Sequence, residues 1–240
     1  FLEVNEIVTL GRALVSTGDF VQFLHRSDAN LYPTLTTLAK PVKALWHIVA
    51  DIRRIIDDNG SVRDNASEGL RTIRHPIRQH EGQVSKRLQA ILNAAKASGV
   101  VDSDASISIR EGRAVIPVSA GNKRKINGFI HDESATGKTF YVEPAEVVEL
   151  NNMLRELEYE ERREIVRILT TFTDTLRIDI VDVEHSEQFM ATTDMLRAKA
   201  RWALENGAVR PILSTDDRLV LRTARHPLLA QSKKKKKRSV

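Results

Sequence analysis

ASISIREGRAVIPVSAGNKRKINGFIHDESATGKTFYVEP, residues 105–144, breaks the pattern of everything around it. Ser106 to Arg110 alternates with a period of two, the signature of a half-buried strand. Glu111-Gly112 reads as a tight turn, and Arg113 to Val118 is apolar and β-branched enough for a second strand. Pro117 inside it argues for an edge position, because proline has no N–H for a ladder. Gly121-Asn122 turns the chain again, Ile126 to His131 is a third strand, and Lys138 to Val142 a fourth after Ala135-Thr136-Gly137. The links are too short for parallel crossovers, so the segment predicts a small four-stranded antiparallel sheet.

Helical periodicity flanks it. Residues 3–24 carry Val4, Ile7, Val8, Gly11, Leu14 and Val15 at three-four spacing, and residues 34–57 carry a second apolar stripe ending at Asp57-Asp58-Asn59-Gly60. Ser67 is placed to cap a third helix over 68–98, whose Ile77, Val84, Leu88, Ile91 and Ala95 follow heptad spacing. Pro76 falls near its start and Gly99 just past its end. After Pro144 an apolar stripe runs from Val148 to Val183 with no glycine before Gly207. This predicts one helix of some 60 residues, or two joined by a bend near 185–192. Arg218 to Leu221 predicts a last short strand. The fold class is mainly α: helix in, small antiparallel β insertion, long helix out, with the sheet at the tip of a two-helix antiparallel arm.

Composition narrows the function classes. Only 5% of residues are aromatic and 29% are charged, which suits elongated helices with solvated faces. There is no cysteine, so disulfides and thiolate chemistry are excluded, and a reducing cytoplasm is the expected compartment. No apolar run reaches the roughly 20 residues that span a bilayer, so no membrane partner is expected. The chain starts at Phe1, which predicts a fragment or a processed chain. The net charge of +5 includes six cations at Lys233–Arg238, and 5 − 6 leaves −1 for the rest. The high pI is therefore a property of the end of the chain.

Asp132-Glu133-Ser134-Ala135-Thr136-Gly137-Lys138-Thr139 ends like a phosphate-binding loop. That loop needs glycine where Asp132 stands, and a helix where Phe140-Tyr141-Val142 continues as a strand. No nucleotide site is expected there. His131, Asp132 and Glu133 are adjacent in sequence and lack metal-ligand spacing. No serine has the setting of a catalytic triad, and Glu160-Glu161 beside Arg162-Arg163 reads as a salt-bridged helix face. Catalytic, cofactor and metal residues are accordingly expected to be none. What remains is basic: Lys123, Arg124 and Lys125 at a turn, with Arg110, Arg113 and Lys138 in the same insertion. Cations on a protruding tip attract phosphate backbone. Phe129, Phe140 and Tyr141 are expected to pack inside the sheet.

Gly112 to Val118, then Gly128 to Pro144 (GFIHDESATGKTFYVEP), then Glu149-Leu150-Asn151-Asn152 resemble the bacterial MutS-two family, the recombination-suppressing branch of the MutS proteins. Asp64-Asn65-Ala66-Ser67 and Ala224-Arg225-His226-Pro227-Leu228-Leu229 fit the same pattern. The resemblance implies four regions: helical core and first lever helix (1–104), β-rich clamp (105–143), returning lever helix and core (144–209), and the start of a truncated ATPase domain (210–240). It implies a homodimeric parent that is an ATPase using ATP and Mg and a possible endonuclease. That parent would act on DNA in suppressing homologous recombination, and on ribosomal RNA in rescuing collided ribosomes. No Walker loop or nuclease segment is present here, so the fragment itself is expected to be non-enzymatic. Its nucleic-acid contacts would be Lys123, Arg124, Lys125, Lys138 and Arg113. The alternative is a coiled-coil scaffold for protein–protein contacts.

Overall fold

The computed structural model describes residues 1–213 apart from Ala29, and beyond them 215, 217–222, 224, 226, 228 and 229. The lysine run at 233–237 lies outside the described residues, as do Arg225 and Pro227. The chain forms six α-helices and four strands among the described residues: α1 (Val4–Arg26), α2 (Pro33–Ala39), α3 (Trp46–Ile55), α4 (Glu68–Ala97), β1 (Ser108–Arg110), β2 (Arg113–Ser119), β3 (Gly128–Glu133), β4 (Thr139–Pro144), α5 (Ala145–Leu176) and α6 (Ile180–Asn206). They divide into two compact units: Phe1–Arg12 with Trp46–Asp179, and Ala13–Leu45 with the chain from Ile180 onward.

In the first unit, α3 buries Ile48, Val49, Ile52 and Ile55. The chain then turns where the Asp57 carboxylate accepts the N–H groups of Asn59 (2.9 Å) and Ser61 (2.8 Å). The Ser67 hydroxyl caps α4 by accepting the Leu70 N–H at 2.9 Å, as its sequence position predicts. α4 buries Leu70, Ile77, Val84, Leu88, Leu92 and Ala95 on one stripe. α5 packs against it antiparallel: Ser67 bonds Glu164 (2.6 Å), Arg74 pairs with Glu161 (2.6 Å) and Arg87 with Glu146 (3.0 Å), so one index rises as the other falls.

The sheet has the order β1-β2-β4-β3, with every neighbouring pair antiparallel. Its inner face sets Ile116, Val118 and Val142 against Val84, Leu88, Leu92 and Ala95 of α4 and Val147 of α5. Burying each of these valine, leucine and isoleucine side chains contributes about 1.5–3 kcal/mol. The β1–β2 turn uses two left-handed residues, Glu111 (φ 48°) and Gly112 (φ 73°), the geometry that matches strand twist in a two-residue hairpin. β2 is an inner strand, but β1 pairs only with residues up to Val115. At Pro117 its single partner strand is β4, and the missing N–H leaves no ladder bond unmade there.

In the second unit, Val21, Leu24, Ala39, Val42 and Phe189 form the core, and Phe20 stacks on Phe189 at 5.5 Å. Lys43 pairs with Asp182 at 2.8 Å. Gly207 ends α6 with φ +62°.

Three sequence expectations are corrected. The helix expected over 34–57 is two helices. Pro41 has no N–H to donate to the Thr37 carbonyl, which the Lys40 N–H takes at 3.3 Å instead. The long returning helix breaks at the 3₁₀ turn Arg177–Asp179, earlier than the expected bend. Just before the turn, Thr171, Thr173 and Thr175 bond back to the carbonyls of Arg167, Leu169 and Thr171, a pattern that loosens helices without any proline or glycine. Residues 218–221 form no strand.

Candidate nucleic-acid interface

The β2–β3 connection is held at its start by two bonds. The Ala120 N–H donates to the Lys138 carbonyl (2.9 Å), which sets the start of the connection beside the β3–β4 turn. The Asn122 amide donates to the Val100 carbonyl (3.0 Å), which ties it to the end of α4. A 3₁₀ turn over Ala120–Asn122 then presents Lys123, Arg124 and Lys125 to solvent, and Lys138 is exposed as well. The Lys123 ammonium sits 4.5 Å from the centre of the Phe140 ring, a contact that orients it without neutralising its charge.

Arg110 and Arg113 are placed differently. Arg110 stacks at 4.0 Å on Tyr141 and pairs with Asp132 at 3.1 Å. Arg113 points into a buried centre built around Glu143, whose side chain is 1% exposed. Arg113 Nη1 donates to both carboxylate oxygens (2.8 and 3.1 Å), and its Nη2 donates to Asn152 Oδ1 (2.7 Å). The Asn151 amide donates to Glu143 Oε1 at 2.6 Å. His131 Nε2 lies 2.6 Å from Oε2, and because a carboxylate only accepts, that nitrogen carries the proton. This centre joins β2, β3, β4 and α5, and a buried carboxylate is tolerable because it is paired and hydrogen-bonded. Sequence reading missed it. The available signal was a glutamate between Val142 and Pro144 in an otherwise apolar strand.

Of the predicted contact residues, the structure therefore brings Lys123, Arg124, Lys125 and Lys138 to the surface, with the Lys138 carbonyl bonded to the turn. It commits the Arg113 guanidinium to Glu143 and Asn152. Of the aromatic residues expected inside the sheet, Phe140 and Tyr141 are half-buried, but Phe129 is 61% exposed on the outer strand β3. The Gly137-Lys138-Thr139 stretch closes a tight turn, with the Gly137 N–H donating to Ser134 at 2.7 Å, and it opens β4 rather than a helix. Among the described residues no three His, Asp or Glu side chains gather as a metal site, and no helix is long and apolar enough to cross a membrane.

Fold and site together define a class: a mainly helical chain in which two long antiparallel helices carry a small antiparallel sheet with an exposed basic turn. Several curated proteins that it resembles share a name. It is 36% identical over 230 residues to "Endonuclease MutS2" of Geobacillus sp. (strain WCH70), covering 96% of this chain and 29% of that protein. It is 39% identical over 232 residues to the "Endonuclease MutS2" of Listeria monocytogenes serotype 4b (strain F2365), 97% and 29% respectively. Against that of Latilactobacillus sakei subsp. sakei (strain 23K) the identity is 33% over 235 residues, 97% and 30%. No family model matches the chain. Over nearly its whole length the chain is similar to these MutS2 proteins, and it spans under a third of their length.

Proposed function

We propose that this segment is the nucleic-acid-contacting arm of a longer MutS-like protein, with Lys123, Arg124, Lys125 and Lys138 as its phosphate contacts. The observation that carries the reading is the separation of charge in the sheet. Arg110 and Arg113 are paired to Asp132 and Glu143, while the turn cations are presented outward from a connection tied down by Ala120 and Asn122. Outward cations on a fixed turn suit phosphate rather than base recognition. Arg113 serves the contact indirectly, by holding β2 to β4.

In this reading the two-helix arm is the lever and the sheet the clamp, residues 210–240 lead toward an ATPase domain, and the longer protein is a cytoplasmic homodimer using ATP and Mg. Its endonuclease activity, suppression of recombination and ribosome rescue belong to the whole protein, and the arm itself supplies binding. The scaffold alternative needs a free heptad face. The stripe from Leu70 to Ala95 on α4 is buried within this chain, which favours the nucleic-acid reading.

The test is an anisotropy titration of the 240-residue chain on branched DNA, duplex DNA and ribosomal RNA. Replacing Lys123, Arg124 and Lys125 by Ala should weaken binding to all three by a similar factor, because phosphate contacts carry no sequence information. Unchanged affinity for every probe, or self-association with no nucleic-acid retention, overturns the reading in favour of the scaffold.

A further inference from the structure

Eight residues of α4 form a second cationic feature. Arg71, His75, Arg78, Gly82, Lys86, Gln89, Asn93 and Lys96 follow one another at intervals of three or four, so they lie in one line along the helix. All are exposed except Lys96, which is half-buried, and no Asp or Glu stands among them. The line runs about 38 Å at 1.5 Å per residue. Its upper end meets the basic turn: Lys125 shares a cleft with Ala94 and Ala95 in the last turn of α4 and with Ser98 just past it, and Asn122 bonds Val100.

The rest of the arm makes the line distinctive. α4 holds six Lys or Arg against two Glu, a net of +4, whereas α5 holds four Arg against eight Asp or Glu, a net of −4. Off the line, Arg74 and Arg87 pair with Glu161 and Glu146 of α5. On it, Arg71 pairs with Glu68 and Arg78 with Asp64. Lys86 and Lys96 make no ion pair among the described residues. Gly82, at the midpoint of the line, has nothing within 4 Å of where a Cβ would stand. A glycine inside a helix is unfavourable relative to alanine, and no packing among the described residues requires it. What it does provide is open helix backbone between two cationic turns, where a bulky anion can approach closely.

We propose that the polyanion held at the tip continues down α4 along this line, so that the arm binds an extended nucleic-acid backbone rather than a single point. The inference rests on the proposed phosphate-contacting function of the tip. About 38 Å corresponds to roughly 11 base pairs at 3.4 Å each, so the partner is a helical or extended nucleic acid of at least that length.

The test is the salt dependence of binding of the 240-residue chain to a long duplex. Lys86→Ala combined with Lys96→Ala should lower the slope of log Kobs against log[salt] by about 1.8, at roughly 0.9 per lost phosphate contact. Arg162→Ala combined with Arg163→Ala, exposed on α5 and off the line, should leave the slope unchanged. Gly82→Glu places a carboxylate on the line in a residue that favours helix more than glycine does, so it should weaken binding about fivefold or more with the fold retained. A slope unmoved by the Lys86 and Lys96 changes, while the tip variant lowers it, overturns the line and leaves the tip standing. An equal effect of the α5 pair also overturns the line. No binding by the unaltered chain overturns the tip reading and the line together.

Discussion

The basic turn and the Glu143 centre lie in the same small sheet and use the same residue types to opposite ends. Around Glu143 every charge is answered within the chain: one carboxylate meets Arg113, His131 and Asn151, and Asn152 takes the remaining arm of Arg113. At Lys123–Lys125 the charges face outward. Arg113 and Arg124 are alike in a sequence count, and only their partners separate them. The difference teaches that the buried centre ties the sheet to α5 and cannot lose one partner without stranding the others, whereas the turn contributes little to stability and is available for contact.

The largest expected effect falls on the buried centre. Glu143→Ala leaves the Arg113 guanidinium half-buried without its partner and should cost about 3–5 kcal/mol, read from urea unfolding of the chain. A cost no greater than that of a surface substitution would erase the contrast. Next is Gly128→Ala. A Cβ there would stand 2.0 Å from the Glu143 carbonyl oxygen, so the β3 and β4 backbones must separate, at about 1–3 kcal/mol in the same assay.

Smaller again is the link at the foot of the arm, where hydrogen bonds from Arg167 and Ser67 hold the Glu164 carboxyl down at about 2, from an ordinary 4.5. A lowered carboxyl pKa stabilises the fold above the unfolded value, and that stability is lost as the group protonates. Glu164→Gln should therefore cost about 1 kcal/mol at neutral pH, and the cost should shrink as pH falls from 4.5 toward 2. Urea unfolding across that pH range reads it, and a cost independent of pH contradicts the assignment. Smallest in stability is the triple change of Lys123, Arg124 and Lys125 to Ala, expected within about 0.5 kcal/mol of the parent.

The sheet was legible in the sequence because its signals are local. Alternation at 106–110, the Glu111-Gly112 turn and the Gly137 turn each depend on a few adjacent residues. Ser67 and Pro144 likewise marked helix starts, although Pro144 proves to be the residue before the first turn of α5 rather than its first residue. The break at Arg177–Asp179 was not legible, because it has no proline or glycine and coincides with threonine hydroxyls bonding back to the helix. The commitment of Arg113 and the exposure of Phe129 were hidden for another reason. Arg113 is committed by a pairing with Glu143, 30 residues away, and Phe129 lies on β3, whose place at the sheet edge is set by the strand order; no local pattern encodes either. The turn cations were found because charge clustered at a turn is itself a local signal.

The contrast between a buried structural charge centre and an outward binding one is tested most directly by a salt titration of duplex binding, run on the parent chain and on the Lys123, Arg124 and Lys125 to Ala variant. The account predicts a slope of log Kobs against log[salt] shallower by up to about 2.7 in the variant, with its unfolding curve superimposed on that of the parent. An unchanged slope, or a loss of binding that accompanies loss of the fold, would contradict it.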